Sequence, residues 1–278
     1  MIVLVTGATG LIGRSLILRL LEAGHQVRAV SRKGQGLPIE VEIVLGDFTL
    51  GDLPASAFRG VSSAFVFPAQ SGVTRFVRQA KDQGVGRFVV LSSLAASQEH
   101  ARDKNSISAL HHLEIEAQVR ATGVPVTILR PGTFSSNLLS WAHSIRRTGA
   151  VQGPYPLSRQ APIHEGDIAT VAAVALVDDR HADKVYALSG PEALTRVEQL
   201  QAIGAAIGRS LRYDEISPEA FAQGMERFMP APVIKMLLDY WSDTSTIPDE
   251  IKPGVEEVTG RKGLTLRKWA EDHRADFA

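Results

Sequence analysis

Short apolar runs alternate with longer stretches in which apolar residues recur every three or four positions along the first half of the chain. The short runs are rich in β-branched residues, as buried strands are, and the longer spacing is typical of helices that bury one face. The predicted strands are Ile2–Val5, Val27–Val30, Val41–Val44, Ala64–Phe67, Phe88–Leu91 and Val126–Leu129. The predicted helices are Arg14–Ala23, Val73–Gln83 and Leu110–Ala121. This alternation predicts an α/β fold with a parallel, doubly wound sheet that binds its ligand at the carboxyl ends of the strands.

The pattern changes after Pro131, where helical spacing predominates and the apolar runs become shorter. The predicted strands of this part are Lys184–Leu188 and Arg212–Ile216. Helix starts are predicted where a capping residue precedes a helical pattern, at Thr195, Ser217 and Thr265. The segment 244–263 is rich in proline, glycine and charge, and it is predicted to be a loop. The second half therefore predicts a smaller, mainly helical lobe.

A glycine-rich turn joins the first predicted strand to the first predicted helix. Gly7 allows a sharp turn, Gly10 lets the backbone approach a pyrophosphate, and Gly13 lets the helix pack closely on its strand. A phosphate-binding P-loop is excluded, because Ala8 stands where its first glycine belongs and Arg14 replaces its lysine. The turn predicts a dinucleotide site in a Rossmann-type fold, and a glycine turn without a ligand is the alternative. The expected cofactor contacts in this turn are Gly7, Thr9, Gly10, Leu11, Ile12 and Gly13.

Two cations, Arg32 and Lys33, follow the second predicted strand, and no acidic residue lies beside them. An acidic residue at this place binds the ribose hydroxyl of NAD, whereas an arginine suits the 2′-phosphate of NADP. The pattern therefore predicts NADP(H), although surface loops also carry cations that bind nothing. Asp47 is expected beside the adenine or, alternatively, in a turn. The other cofactor contacts predicted after later strands are Phe48, Pro68, Ala69, Ser92, Pro131 and Thr133.

The chain has 278 residues, with 30 Lys and Arg side chains against 30 Asp and Glu, and no cysteine. Balanced charge gives no field that attracts nucleic acid or an anionic membrane, and no apolar run reaches the roughly 18 residues of a membrane span. Without cysteine the chain forms no disulfide and no thiolate site, and His143 and His164 have no partner at metal-ligand spacing. We expect a cytoplasmic monomer or homodimer without a metal, nucleic-acid or membrane partner.

Several motifs give the chain a family resemblance. They include the 6–13 loop, Val90-Leu91-Ser92-Ser93, Arg130-Pro131-Gly132-x-Phe134-x-x-Asn137 and Gly166-Asp167-Ile168-Ala169. In this order they resemble the NmrA-like group of atypical short-chain dehydrogenases/reductases. The resemblance implies a Rossmann domain over residues 1–150, interleaved with later segments such as 162–190, and a substrate lobe over 151–278. It also implies NADP(H), and the group holds quinone, ketone and benzylic ether reductases as well as regulators that bind NADP without turnover.

The proton-donor pattern of the parent superfamily, Tyr-x-x-x-Lys, is absent from this chain. Aligning residues 116–120 with the family's helix places Ser108 at the tyrosine position and His112 at the lysine position. A histidine, with an ordinary pKa of about 6.5, is suited to deliver a proton or to bind the nicotinamide ribose. Only one of His111 and His112 can face the site, because adjacent helical residues point about 100° apart. Ser108 is expected to bind the substrate or a relay water.

The remaining candidates lie after the fifth and sixth strands. One of Ser92 and Ser93 faces the cofactor, since neighbouring strand residues point to opposite sides. We expect Ser93 to join Ser108 and His112 in catalysis. Tyr155, which belongs to the second lobe, is an alternative proton donor. The predicted substrate contacts are Phe134, Asn137 and Trp141, with a place in the core of the lobe as the alternative for the two aromatic residues.

Two functions follow from these patterns. The first is an NADPH-dependent reductase of a small ketone, quinone or conjugated carbonyl compound, with the proton coming from His112, water or the substrate itself. The second is a redox-sensing regulator that binds NADP(H) without turnover, which the missing tyrosine–lysine pair favours. The complete second lobe, with its apolar and aromatic residues, favours the reductase.

Overall fold

A parallel sheet of seven strands is the centre of the computed structural model, which describes residues 1–50 and 53–278. The strands are β1 Ile2–Val5, β2 Gln26–Ser31, β3 Glu42–Leu45, β4 Val61–Val66, β5 Phe88–Leu91, β6 Val126–Pro131, β7 Ala150–Gly153, β8 Arg159–Gln160, β9 Val185–Leu188, β10 Leu194–Thr195 and β11 Arg212–Glu215. The sheet order is β3-β2-β1-β4-β5-β6-β9, with parallel pairing throughout. The order reverses between β1 and β4, which is where doubly wound sheets bind their ligands. The predicted Rossmann-type sheet is confirmed.

Helices cover both faces of this sheet. The helices of the described residues, those of the C-terminal lobe included, are α1 Leu11–Glu22, α2 Val73–Asp82, α3 Ile107–Arg120, α4 Ala142–Thr148, α5 Glu165–Val177, α6 Arg196–Ile207, α7 Pro218–Met225, α8 Ala231–Thr246, α9 Gly254–Thr259, α10 Leu266–Asp272 and α11 Arg274–Phe277. Apolar residues of α1 and α5 pack on one face, and those of α2 and α3 pack on the other. Helix α5 and strand β9 thus come from the second half of the chain yet complete the layers built by the first half.

A third apolar cluster lies in the C-terminal lobe, where α4, α6, α10 and α11 meet. Its largest fully buried members are Trp269 and Phe277. Two small sheets accompany the cluster, a parallel pair of β7 with β11 and an antiparallel pair of β8 with β10. The lobe therefore has a core of its own and lies beyond the carboxyl end of β6.

Local signals in the sequence set several helix starts. Thr195 and Glu198 form the predicted capping box of α6, and Ser217 and Thr265 cap α7 and α10 as predicted. Helix α3 begins at Ile107, three residues earlier than predicted, because the Ser106 hydroxyl accepts a hydrogen bond from the Ala109 amide.

The prediction that residues 244–263 form one loop is wrong. Helix α8 continues to Thr246, since the Thr244 hydroxyl is buried within hydrogen-bond distance (2.8 Å) of the Ser158 hydroxyl. Helix α9 forms within the same segment because Val255 inserts into the core beside α5. Tertiary packing has overridden a local composition that is typical of loops.

Candidate active site

The turn between β1 and α1 has the geometry of a phosphate cradle. Gly7 has a φ of +64°, and a Cβ on Gly13 would overlap the carbonyl oxygen of Gly7, so both positions require glycine. Helix α1 begins at Leu11 with Gly10 as N-cap, and this residue has no side chain to accept hydrogen bonds from the first turn. Thr9, Gly10 and Leu11 are exposed. The free N–H groups of an accessible helix start fit a pyrophosphate.

Cations stand on the loops next to this cradle. Arg32 and Lys33 follow β2 and are exposed, as an interaction with a bound phosphate requires. Arg14, which was not among the predicted contacts, donates from Nε to the Thr9 carbonyl at 2.9 Å and from Nη1 to the Gly36 carbonyl at 2.6 Å. Its guanidinium therefore bridges the glycine turn and the loop after β2. The sequence feature that indicates this role is the position of the arginine, directly after the third glycine of the turn.

The loop after β3 differs in part from the prediction. The Thr49 hydroxyl and amide donate to Asp47 at 2.5 and 3.0 Å and hold the pKa of this carboxyl below its usual value, with Arg32 nearby adding to the effect. Asp47 thus forms a turn, and its place beside the adenine stays a prediction. Phe48 is buried and packs edge-on against Phe76, with ring centres 5.8 Å apart. Its ring lies in the core against α2 and leaves little side-chain surface for the predicted cofactor contact.

The loop after β4 is tied to two neighbouring elements. The Thr6 hydroxyl donates to the Phe65 carbonyl and accepts from the Phe67 amide, which joins the ends of β1 and β4. Next in the chain are Pro68, which is half-buried, and Ala69, which is buried. The Pro68 carbonyl accepts a hydrogen bond from Nε2 of His111 at 3.1 Å. His111 therefore holds this loop against α3.

A cavity of about 360 Å³ opens at the carboxyl ends of β5 and β6. Eight of the predicted site residues line it: Ser92, Ser93, Ser108, His112, Pro131, Thr133, Phe134 and Asn137. Helix α8 closes the other side with Met236, Leu237 and Tyr240, and Lys252 follows from the next loop. The cavity thus lies between the sheet and the C-terminal lobe, and its volume suits a small molecule.

Of the adjacent pair His111 and His112, His112 is the one that lines the cavity, and His100 lines it from the opposite wall. Its Nδ1 lies 2.8 Å from the Ser108 carbonyl oxygen and 3.4 Å from the Ser108 hydroxyl. Burial lowers the pKa of His112, the neighbouring His111 lowers it further, and the Ser108 carbonyl and Glu116 partly oppose these effects. The imidazole is therefore less basic than a free histidine and is neutral at pH 7.

A buried network that the sequence reasoning missed lies behind Ser92. Glu116 is 4% exposed and accepts two hydrogen bonds from Arg130, at 2.9 Å from Nε and 2.7 Å from Nη2. The Ser92 hydroxyl donates to the same carboxylate at 2.5 Å. This network joins α3 to the ends of β5 and β6 and uses the only hydrogen of the Ser92 hydroxyl. In the sequence, this network was indicated only by a glutamate one helical turn beyond His112 and an arginine directly before Pro131.

Other polar groups beside this network keep hydrogens for a ligand. The Ser93 hydroxyl accepts from the Ala95 amide at 3.2 Å and so has its own hydrogen left to donate. Asn137 donates to the Thr133 hydroxyl at 3.4 Å and has a second amide hydrogen. Ser93 is therefore the better donor of the serine pair after β5, and Ser92 is the better acceptor.

Charged side chains form the wall opposite α3, and the sequence reasoning did not place them here. Lys252 pairs with Glu99 at 3.0 Å and with Glu250 at 2.8 Å. The Arg102 guanidinium lies 3.2 Å from Asp243. The Lys252–Glu99 and Arg102–Asp243 pairs join residues that are 153 and 141 positions apart, so no local sequence pattern predicts them. Asp103 also lines the cavity, and burial raises the pKa of its carboxyl.

Tyr240 is the one tyrosine among the cavity-lining residues of the described chain. Its hydroxyl donates to Asp249, and the guanidinium of Arg102 lies 5.2 Å from the centre of its ring. Burial and the neighbouring Asp249 carboxylate raise the pKa of Tyr240 well above its ordinary value. This tyrosine therefore holds its proton at pH 7, and the proton is engaged in the hydrogen bond to Asp249.

Two of the residues that were predicted for the substrate end of the site lie outside the cavity. Trp141 is 9% exposed and packs within the lobe, edge-on to Tyr213 and with the Arg196 guanidinium 5.4 Å from its ring centre. It belongs to the core of the lobe because the short helix at 135–141 turns it away from the sheet. Tyr155 follows β7 and is also absent from the cavity wall. Of the predicted substrate contacts, Phe134 and Asn137 remain.

The described residues contain no group of three or more His, Asp or Glu side chains arranged to hold a metal ion. Within the same residues, no helix combines the length and the apolar character that crossing a membrane demands.

Comparisons with known proteins agree with this geometry. One relative is a (4-alkanoyl-5-oxo-2,5-dihydrofuran-3-yl)methyl phosphate reductase of Streptomyces griseus, 36% identical over 285 residues that cover 99% of each chain. Another is an NAD(P)H azoreductase of Xenophilus azovorans, 30% identical over 290 residues that again cover 99% of each. The NADPH complex of a quinone oxidoreductase from Escherichia coli shares the fold, with a TM-score of 0.80 at 24% identity, covering 97% of this chain and 99% of that one.

These findings confirm the predictions of a reductase and of a nicotinamide dinucleotide cofactor. The family model described as "NmrA-like family" matches residues 1–271. This match covers the sheet, the cavity and nearly all of the lobe. The chain belongs to the NmrA-like family.

Proposed function

We propose that this protein reduces the polarised double bond of a small conjugated carbonyl compound or quinone with NADPH. The observation that carries the proposal is the cavity at the ends of β5 and β6, which brings Ser93, Ser108, His112, Thr133 and Asn137 around one space. Open α/β sheets bind and transform their ligands at this edge.

The residues of the cradle and of the cavity fit NADPH. The glycine turn leaves room for a pyrophosphate, and Arg32 supplies a guanidinium at the place where the 2′-phosphate is expected. When bound, NADPH supplies the hydride, and the protein's task is to bind and orient the reactants.

The polar residues at the reaction end divide into donors and acceptors. Ser93 and Asn137 have hydrogens to donate to a substrate oxygen, where negative charge develops when a carbonyl is reduced. Ser92 and Tyr240 have already donated theirs to carboxylates. A conjugated substrate suits this arrangement, because its charge is delocalised and the protein need not supply a strong acid.

The relatives support this substrate class. The names of the Streptomyces and Xenophilus proteins give substrates with polarised or conjugated double bonds, and the Escherichia coli structure is that of a quinone oxidoreductase. Unlike the Streptomyces substrate, the substrate of this protein is expected to carry no phosphate. Both cations of the cavity wall, Arg102 and Lys252, already pair with carboxylates, and Asp103 adds a further negative charge.

The proposal is tested with a panel of quinones, aromatic ketones and unsaturated lactones, with and without a phosphate, by following the loss of NADPH absorbance. Turnover of an uncharged quinone or lactone is expected, with a lower kcat/KM for the phosphate-bearing member of each pair. Tight binding of NADPH without turnover of any member would instead assign the protein to the regulators of this family.

A further inference from the structure

Backbone carbonyl groups hold the two adjacent histidines of α3 through opposite ring nitrogens. Nε2 of His111 lies 3.1 Å from the Pro68 carbonyl oxygen, whereas Nδ1 of His112 lies 2.8 Å from the Ser108 carbonyl oxygen. A carbonyl oxygen only accepts hydrogen bonds, so the nitrogen that faces it carries a hydrogen in each ring. The structure thus fixes the tautomer of His112, with its hydrogen on Nδ1.

A neutral imidazole with its hydrogen on Nδ1 has a lone pair on Nε2. Nε2 of His112 has no hydrogen-bond partner among residues 1–50 and 53–278, and the ring lines the cavity. Burial and His111 favour the neutral ring, while Glu116 and the Ser108 carbonyl oppose them without reversing the direction. The other titratable groups that line the cavity are Glu99, His100, Arg102, Asp103, Tyr240, Asp249, Glu250 and Lys252. Within the described residues, none of them forms a hydrogen bond or ion pair with the His112 ring, and none is among the groups that shift its pKa.

The geometry points to His112 as a hydrogen-bond acceptor that binds a hydroxyl group of the ligand through Nε2, and not as the proton donor of the reduction. The inference rests on the proposed function for the identity of that ligand. An O–H group is the chemistry that an imidazole lone pair recognises, and there are two sources of it. One is a ribose hydroxyl of the cofactor, and the other is a hydroxyl beside the reducible carbonyl of the substrate.

The ring nitrogens can be observed directly by NMR of the full-length protein labelled with ¹⁵N-histidine. Long-range ¹H–¹⁵N correlations at pH 7 are expected to show hydrogen on Nδ1 of His112 and on Nε2 of His111. His112→Phe and His111→Phe assign the two signals, and each variant leaves the other histidine as an internal control. A hydrogen on Nε2 of His112 at pH 7, in either the other tautomer or the imidazolium, would overturn the inference. This measurement needs no turnover, so it stands apart from failure of the proposed function.

The pH dependence of kcat/KM distinguishes acceptor from donor. An acceptor must be neutral, so activity is expected to be level above pH 7 and to fall at acid pH as His112 is protonated. A histidine acid would produce the opposite slope, with activity falling about tenfold per pH unit above its pKa. His112→Gln, whose longer side chain can place an amide oxygen where Nε2 stood, is expected to keep more activity than His112→Phe.

Two binding measurements separate the sources of the hydroxyl. If it belongs to the ribose, His112→Phe weakens NADPH about two- to tenfold in the binary complex, the range for one hydrogen bond. If it belongs to the substrate, the wild type prefers a naphthoquinone with a hydroxyl beside its carbonyl over the methyl ether, and His112→Phe loses this preference. Unchanged NADPH affinity together with an unchanged preference would refute the acceptor role.

Discussion

The network of Glu116, Arg130 and Ser92 allows a quantitative prediction. Glu116 has a side chain that is 5% exposed, and Arg130 has one that is 19% exposed, so neither regains full hydration when its partner is removed. Breaking a buried ion pair from one side costs about 3–5 kcal/mol, since the remaining charge stays buried without a partner. Glu116→Ala also leaves the Ser92 hydroxyl without its acceptor. We therefore expect Glu116→Ala to lower the free energy of unfolding by about 3–5 kcal/mol.

Urea denaturation followed by circular dichroism measures this loss. The double variant Glu116→Leu/Arg130→Met is expected to be more stable than Glu116→Ala, because it removes both charges and keeps the volume. Asp239→Ala is the matched control, since its pair with Lys235 is largely exposed and costs at most about 1 kcal/mol. If Glu116→Ala were as mild as Asp239→Ala, the network would not join α3 to the sheet as described.

Three further predictions concern other parts of the molecule. Arg32→Ala should weaken NADPH much more than NADH, with the exposed Lys81→Ala at the end of α2 as control, and equal losses in a binding titration would refute the 2′-phosphate assignment. Gly13→Ala should abolish measurable dinucleotide binding, because its Cβ overlaps the Gly7 carbonyl, and retained affinity would show that the turn has another conformation. A hydrogen bond to Glu165 and a second to Asp276 outweigh burial and raise the pKa of His273. The stability that this adds is complete below pH ~6.5 and is lost as the pH rises through the folded-state pKa. Over this range the free energy of unfolding of the wild type should fall relative to that of His273→Phe. Parallel curves of this free energy against pH would exclude a contribution from His273 protonation.

Much of the cofactor half was predictable because its determinants are local. The glycine turn needs Gly7, Gly10 and Gly13 at fixed spacing after a strand, and that spacing is visible in the sequence. The capping box of Thr195 and Glu198 is equally local. Helical periodicity also predicted that only one of His111 and His112 faces the site, and in the structure His111 contacts the loop after β4 while His112 lines the cavity.

The substrate half was less predictable because distant segments build it. Lys252 meets Glu99 only when the lobe docks on the sheet, and the same holds for Arg102 and Asp243. Aromatic residues close to motifs were misleading for a related reason. Trp141 follows the Asn137 motif yet belongs to the core of the lobe, because a large apolar side chain gains as much from burial in a core as from lining a pocket.

Hydride transfer from NADPH to a small molecule is the central claim, and isotope transfer tests it most directly. The purified protein is mixed under anaerobic conditions with NADPH that carries deuterium at both positions of the nicotinamide C4 and with the best substrate of the panel. The account predicts one deuterium in the reduced product by mass spectrometry when the substrate is an unsaturated lactone or a ketone, whose new C–H bond does not exchange. Oxidation of NADPH without deuterium in such a product, or tight NADPH binding with no oxidation at all, would contradict it.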